Sequence, residues 1–155
     1  MLVYNPNLTE ILPLFRGLHN FHVCLSPHVY HAEGTDAELL LHLQELRDEG
    51  AVIYAIDAGW GLVAYLLAYA EETSGDAFRR AASRMTIDHL YIAPTHRGRG
   101  LGHQLIAALE ADMRAKGGSH WRVGQDATNV SATEFYVAVG ARRRVLFLEK
   151  RLYPS

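Results

Sequence analysis

A single α/β domain with a mixed sheet and helices on both of its faces is what this 155-residue sequence predicts. Segments with strand and helix periodicity alternate along its whole length, without internal repeat, low-complexity tract or linker. Two apolar runs, Ala51–Asp57 (AVIYAID) and Leu62–Ala70 (LVAYLLAYA), are nearly continuous, as in strands buried on both faces. One core is the default at this size, since a domain of about 150 residues buries roughly 68 to 70% of its unfolded surface.

Leu2–Tyr4 reads as a short first strand stopped by Asn5-Pro6-Asn7. From Thr9, Ile11, Leu12, Phe15 and Leu18 recur at helical spacing, with Pro13 tolerated near the helix start. Thr35 and Glu38 form a capping box for a second helix, striped by Leu39, Leu43 and Leu46 and stopped by Gly50. Ala51–Asp57 and Leu62–Ala70 then make an antiparallel hairpin around Gly59 and Gly61. Glu71–Arg84 reads as polar loop, and Met85–Ile92 as a strand closed by Pro94. Leu101, Leu105, Ile106, Leu109 and Met113 mark one face of a helix ended by Gly117-Gly118. His120–Ala127 follows as a strand, Ser131–Val139 as a short helix, and Arg143–Tyr153 as a long final strand.

With 15 Lys and Arg against 17 Asp and Glu, the net charge of −2 gives no basic field for nucleic acid or anionic lipid. Arg142-Arg143-Arg144, lacking interleaved aromatics, reads as a solvated strand start. Cys24 is the only cysteine, so no intrachain disulfide can form. The longest apolar run, Trp60–Ala70, is well short of the ~18 to 20 residues that span a bilayer. Met1–Glu10 has no Lys or Arg and makes a poor secretory signal, so a cytoplasmic protein is expected. The pairs His19/His22 and His28/His31 lack the paired cysteines or His-Glu-x-x-His pattern of zinc sites, and no metal is expected.

The chemistry concentrates after Pro94. Arg97-Gly98-Arg99-Gly100-Leu101-Gly102 lies between a strand and a helix, where glycines permit close backbone approach and the first helical N–H groups lack partners. Such a turn binds phosphate. His103-Gln104 stands where a nucleoside-triphosphate loop needs Lys-Ser/Thr, and the G-x-G-x-G spacing misses the third glycine of a dinucleotide fingerprint. Further on, Ala132, Phe135, Tyr136 and Val139 share a helix face, so Tyr136 could be simply a core tyrosine. Glu134, three residues after Ser131, fits a capping box. Asp88 and His89 are polar residues inside an apolar strand.

Two segments carry a family resemblance. Arg97, Gly100 and Gly102 match Gln/Arg-x-x-Gly-x-Gly/Ala, and Asn129, Ala132, Phe135, Tyr136 and Gly140 match Asn-x-x-Ala-x-x-Phe-Tyr-x-x-x-Gly-Phe, with Ala141 in place of the last Phe. Leu90-Tyr91-Ile92-Ala93-Pro94 is similar to the preceding Leu-x-Val-x-Pro. In these features the chain resembles the GNAT superfamily of N-acetyltransferases, most specifically over Met85–Ala141. The resemblance implies one GNAT domain over residues 1–155, with a mixed, mostly antiparallel sheet and a V-shaped opening between Thr86–Ile92 and Trp121–Asp126. It implies acetyl-CoA as co-substrate, held by the backbone of Leu90, Tyr91 and Ile92, by Arg97, Gly98, Arg99, Gly100, Leu101, Gly102 and His103, and by Asn129 and Phe135. Tyr136 would protonate the leaving thiolate and Asp88 would deprotonate the amine, directly or through water. The acceptor, a small-molecule or peptide amine, would meet Phe21, His22, His28, Tyr30 and His31, a wall poor in carboxylates and so ill suited to spermidine. A homodimer built through Arg143–Tyr153 is expected. The competing readings are a non-catalytic CoA-binding or sensing module and a dinucleotide-binding oxidoreductase.

Overall fold

The computed structural model describes residues 1–153. Its elements are β1 (Leu2–Tyr4), α1 (Leu8–Leu25), α2 (Asp36–Asp48), β2 (Val52–Asp57), β3 (Leu62–Thr73), β4 (Ala82–Ile92), a 3₁₀ turn (Pro94–His96), α3 (Leu101–Lys116), β5 (His120–Val123) and α4 (Val130–Ala138). The strands form one sheet in sequence order, antiparallel from β1 to β4 and parallel between β4 and β5.

Alternation along the central strands explains why both hairpin runs are apolar throughout. Tyr54 and Ile56 of β2, with Ala64, Leu66 and Ala68 of β3, pack toward Leu105, Ile106 and Leu109 of α3. Ile53 and Ala55, with Tyr65 and Leu67, pack on the other face against Ile11, Phe15 and Leu18 of α1 and Leu43 of α2. The Thr35–Glu38 capping box forms as expected: the Glu38 N–H donates to Thr35 Oγ1 at 3.2 Å and the Thr35 N–H to Glu38 Oε2 at 2.7 Å.

Five elements differ from the sequence reading. Helix α1 begins at Leu8, where the Asn7 side chain accepts from the Thr9 N–H, and runs to Leu25, so Phe21 and His22 are helical. Glu71–Arg84 is loop only over residues 74–81. The β3/β4 ladder continues through Glu71↔Arg84 and Thr73↔Ala82, held beyond the core by a 2.7 Å Arg84–Glu71 ion pair and a 2.6 Å Ser83 to Glu72 hydrogen bond. Helix α4 is capped by Asn129, whose Oδ1 accepts from the Ala132 N–H, rather than by Ser131. Finally, β5 stops at Val123 instead of Ala127, and Arg143–Tyr153 pairs with no strand among the described residues.

Candidate active site

The parallel β4/β5 ladder runs from Arg84↔His120 to Ile87↔Val123 and ends there. The cause lies in β4. On its other edge Ala68 faces Ile87 and Leu67 faces His89, leaving Asp88 as the extra residue of a β-bulge. The bulge reverses the alternation of the strand. Before it, Met85 and Ile87 point toward α3; after it, Leu90 and Ile92 do, while Tyr91 joins the core under α1 and α2. Bulges also bend the strand that carries them, so β4 departs from β5 at this point and a V opens between residues 88–92 and 124–127.

The Ala93 N–H donates to the Val63 carbonyl, so Tyr91, two residues earlier, also turns its peptide groups to β3. Leu90 and Ile92 turn theirs to the opening. The Ile92 carbonyl accepts from Arg97 Nε at 3.0 Å, which leaves the Ile92 N–H and both Leu90 peptide groups facing the opening. Tyr91 serves differently: its ring occupies the place a side chain on Gly17 of α1 would fill, and the Arg97 guanidinium lies 5.6 Å from its centroid.

At the wide end of the V, Gly98 and Gly100 have φ of 72° and 76°, and a Cβ at either would touch nothing within 4 Å. Their requirement is conformational. Gly102 is required for space, since its Cβ would come within 2.9 Å of the Phe135 ring that docks α4 onto α3. His103 meets the same ring edge to face at 5.3 Å. Gln104 is the first residue whose N–H reaches back into α3, to Gly100, at 3.1 Å. The N–H groups of Leu101, Gly102 and His103 therefore lack intrahelical acceptors, beside a cleft of about 310 Å³ that Arg97 and Ile92 also line. Arg99 is exposed and makes no side-chain hydrogen bond among the described residues. Free N–H groups, a helix dipole and two guanidinium groups form a donor set that fits a pyrophosphate.

At the narrow end, His89 is 7% exposed and lies flat against Phe15, centroids 4.8 Å apart. Its Nδ1 is 3.1 Å from the Tyr65 hydroxyl and its Nε2 3.3 Å from Asp88 Oδ2. Burial lowers its pKa to about 3, so the ring is neutral, and Tyr65, whose own pKa burial raises, donates to Nδ1, while Nε2 lies near the Asp88 carboxylate without a hydrogen bond to it. The Asp88 side chain remains 41% exposed, and desolvation raises its pKa against the opposing influence of His42 and His22.

Tyr136 is buried among the residues that include Ile87, the last β4 residue paired before the opening, with Trp121 of β5 at 6.0 Å and Phe135 at 5.2 Å between centroids. Its hydroxyl has no hydrogen-bond partner among the described residues, and burial raises its pKa, so it carries its proton at neutral pH. The Asn129 Oδ1 is committed to the α4 cap, which leaves Nδ2 as its free donor.

The five residues expected at the acceptor wall divide. His22 stacks on Tyr30 at 5.3 Å and lies within electrostatic reach of Asp88 and Asp126; burial, followed by the neighbouring His19, lowers its pKa. The His31 carbonyl receives His19 Nε2 at 2.7 Å, fixing the loop to α1. Phe21 neighbours His22 at 6.0 Å, and His28 is exposed near Asp126. Sequence reasoning missed His42, Tyr65 and the tie from Ser26 Oγ to Asp126 Oδ2, 2.5 Å long, which joins the end of α1 to the loop after β5. With the two bonds from Thr128, that tie holds the Asp126 carboxyl down at about 2. Among the described residues no three His, Cys, Asp or Glu side chains gather as metal ligands, and no helix is long and apolar enough to cross a membrane.

Residues 15–141 match the sequence model of the family described as "Acetyltransferase (GNAT) family". No curated protein matches the sequence. Among solved structures, the fold is similar to a tetramutant of the BH1408 protein of Bacillus halodurans, with a TM-score of 0.85 at 18% identity over 98% of this chain and 99% of that one. It is also similar to the ribosomal-protein-alanine N-acetyltransferase of Brucella melitensis, with a TM-score of 0.72 at 18% identity over 98% of both chains. A third neighbour is an aminoglycoside 6'-N-acetyltransferase of Acinetobacter haemolyticus, with a TM-score of 0.73 at 15% identity over 99% of both chains.

Proposed function

The chain belongs to the GNAT acetyltransferase family, and on that premise we propose that it is a cytoplasmic, homodimeric enzyme moving the acetyl group of acetyl-CoA to a primary amine in a ternary complex. The observation that carries this reading is the V at the Asp88 bulge, with the free peptide groups of Leu90 on one side and the glycine turn at its mouth. An extended pantetheine arm fits there as a short extra strand, its amides meeting Leu90 and Asn129 Nδ2 and its pyrophosphate the N–H groups of Leu101, Gly102 and His103. Arg97 and Arg99 supply the countercharge, and Phe135 walls the cleft.

Two substrates in one groove remove much of the entropic barrier to attack. The amine nitrogen bonds to the thioester carbonyl carbon, the Leu90 N–H steadies the oxyanion, and the carbon–sulfur bond then breaks. Asp88, directly or through a water, receives the ammonium proton; its raised pKa makes it a better base than an ordinary carboxylate. Tyr136 gives its proton to the departing thiolate, and the second proton released from the nitrogen as the amide forms returns through water to the phenolate. Both groups sit in the apolar place that disfavours phenolate, and the same burial disfavours the thiolate, so the transfer need not run uphill.

His22, within electrostatic reach of Asp88, and Tyr30 stacked on it would form the near part of the acceptor wall, with Phe21, His28 and His31 farther out along α1 and the loop after it. Imidazole and aromatic groups suit a small molecule or peptide amine with an apolar or anionic portion. The acceptors named for two structural neighbours, a ribosomal-protein alanine and an aminoglycoside, are amines as well. A thiol-release screen of acetyl-CoA against a panel of amines tests the proposal. Amine-dependent release is the expected result; acetyl-CoA binding without release in the presence of any amine would leave only a CoA-binding module.

A further inference from the structure

Beside the V the sheet carries a charged cluster that the fold alone does not use. Tyr69, packed under α1 and α2, pairs with Thr86, and Glu71 pairs with Arg84, so all four side chains lie on the α1 and α2 face. Arg122 of β5 is opposite in parity to Trp121 and Val123, which face α3, and joins the cluster beside its partner Thr86. Glu71 accepts from Arg84 Nε and from Thr86 Oγ1, each at 2.7 Å, and lies 3.0 Å from Arg122 Nη2; Arg122 Nε donates to Thr86 Oγ1 at 3.2 Å.

Two guanidinium groups thus share one carboxylate, and one positive charge is left over. Arg122 Nη1 and both Nη groups of Arg84 have no partner among the described residues, and all three remain open to solvent. Asp88 stands two residues beyond Thr86 on β4, about 7 Å along at the rise of a strand. His22 and His42 act on its carboxyl from α1 and α2, so it looks onto the same face, yet it pairs with neither arginine. Gly124, two residues beyond Arg122, puts no side chain between them, and a Cβ there would meet nothing within 4 Å. A gap therefore separates the carboxylate that faces the acceptor from an uncompensated cation.

We infer that the acceptor is an amine bearing a carboxylate, its ammonium group at Asp88 and its carboxylate on the free guanidinium donors of Arg84 and Arg122. That assignment rests on the acetyl-transfer reading and names its substrate class. The free Nη pair of Arg84 matches a carboxylate in two parallel hydrogen bonds, and Arg122 Nη1 adds a third donor. A carboxylate cancels the single surplus charge, whereas a phosphate dianion would exceed it beside Glu71 and Asp88. A diamine would bring a second cation against the two arginines. The two-residue spacing suits about three methylenes between nitrogen and carboxylate.

The test compares 4-aminobutyrate with 4-aminobutanamide, which differ in that charge, by two readouts. One is kcat/KM for thiol release from acetyl-CoA; the other is the rise in thermal midpoint that each compound adds to the CoA-bound protein. The wild type should favour the acid by about 10- to 100-fold in kcat/KM, the value of a hydrogen bond to a charged group, chiefly through KM. Only the acid should raise the midpoint. Arg84→Gln and Arg122→Gln, which keep amide donors for Glu71 and Thr86, should each reduce the acid-to-amide ratio. Arg122→Glu should invert it and favour butane-1,4-diamine over the acid. The midpoint rise with CoA alone reports that each variant is folded. Equal kcat/KM for acid and amide in the wild type, no midpoint rise with the acid, or a ratio that survives both Gln variants overturns the carboxylate assignment. Faster turnover of 3-aminopropyl phosphate than of the acid overturns it too. Amine turnover without the preference leaves acetyl transfer standing. Acid-specific binding without thiol release in the presence of any amine keeps the carboxylate site and removes acetyl transfer.

Discussion

His89 sets an acid limit on the stability of the fold. Its folded pKa of about 3 lies below the ordinary histidine value of 6.5, because burial between Phe15 and the sheet disfavours the charged ring. Between those two values the unfolded chain binds a proton that the native chain does not, so stability rises with pH there. The contribution is fully present above about pH 6.5 and is lost progressively as pH falls toward about 3. At pH 5 the loss from this one group is RT ln(1 + 10^1.5), about 2 kcal/mol, and at pH 7.5 it is below about 0.1 kcal/mol. Urea unfolding followed by far-UV circular dichroism at pH 7.5, 6 and 5 reads it, with protein concentration held fixed. His22, also lowered, contributes a slope of the same sign, so the informative quantity is the difference between the wild type and His89→Gln. The variant keeps amide groups for Tyr65 and Asp88 but does not titrate. It should lose about 2 kcal/mol less than the wild type between pH 7.5 and 5, whatever its stability at pH 7.5. Parallel pH dependences in the two proteins would refute a neutral, buried His89.

Three further outcomes follow from the site. Tyr136→Phe keeps the ring among Trp121 and Phe135, so the rise in thermal midpoint with CoA should persist while kcat falls, by ~10² to 10⁴-fold for a lost general acid; unchanged turnover would make Tyr136 a packing residue only. Gly100→Val forces a β-branched residue to the positive φ of 76° at the start of α3, and the CoA-induced rise in thermal midpoint, about 2.7 kcal/mol of stabilisation at a hundred times Kd for the wild type, should vanish. Persistence of the rise would remove the turn from the binding site. Asp88→Asn should displace the acidic limb of the kcat/KM profile, which for the wild type lies above the ordinary carboxylate range because desolvation raises the base. A limb that does not move would exclude Asp88 as the group that takes the amine proton.

Much of the fold was legible because its signals are local. The two-sided apolar runs of β2 and β3, the Thr35–Glu38 box and the left-handed Gly117 that ends α3 each depend on a few adjacent residues. The glycine turn was legible for the same reason, although its glycines divide by cause: φ at 98 and 100, space for Phe135 at 102. What escaped depends on pairing across distance. The polar stretch 71–84 carries no apolar alternation, and its two ends, 71–73 and 82–84, extend the β3/β4 ladder, where Glu71 meets Arg84 and, at 3.0 Å, Arg122. Arg143–Tyr153 has a strand pattern but pairs with no strand among the described residues, because pattern alone does not supply a partner.

The Asp88 bulge is the clearest case, because one unpaired residue produces most of the site. A one-residue shift sends every later side chain to the opposite face. Without it, the parity of Met85 and Ile87 would carry on through residue 89 and put His89 on the α3 side instead of against Phe15 and Tyr65. Leu90 would then turn its peptide groups to β3, and the V would lose its backbone donor. In the sequence the bulge shows only as Asp88-His89, two polar neighbours where strand alternation permits at most one on the solvent side. That pair is a usable sign: adjacent polar residues inside an apolar central strand suggest a register slip before they suggest two independent functions. Here they also divide one task. The buried imidazole stays neutral beside Phe15 and Tyr65, and on the proposed mechanism the carboxylate, partly in solvent at the apex of the V, takes the proton of the incoming amine.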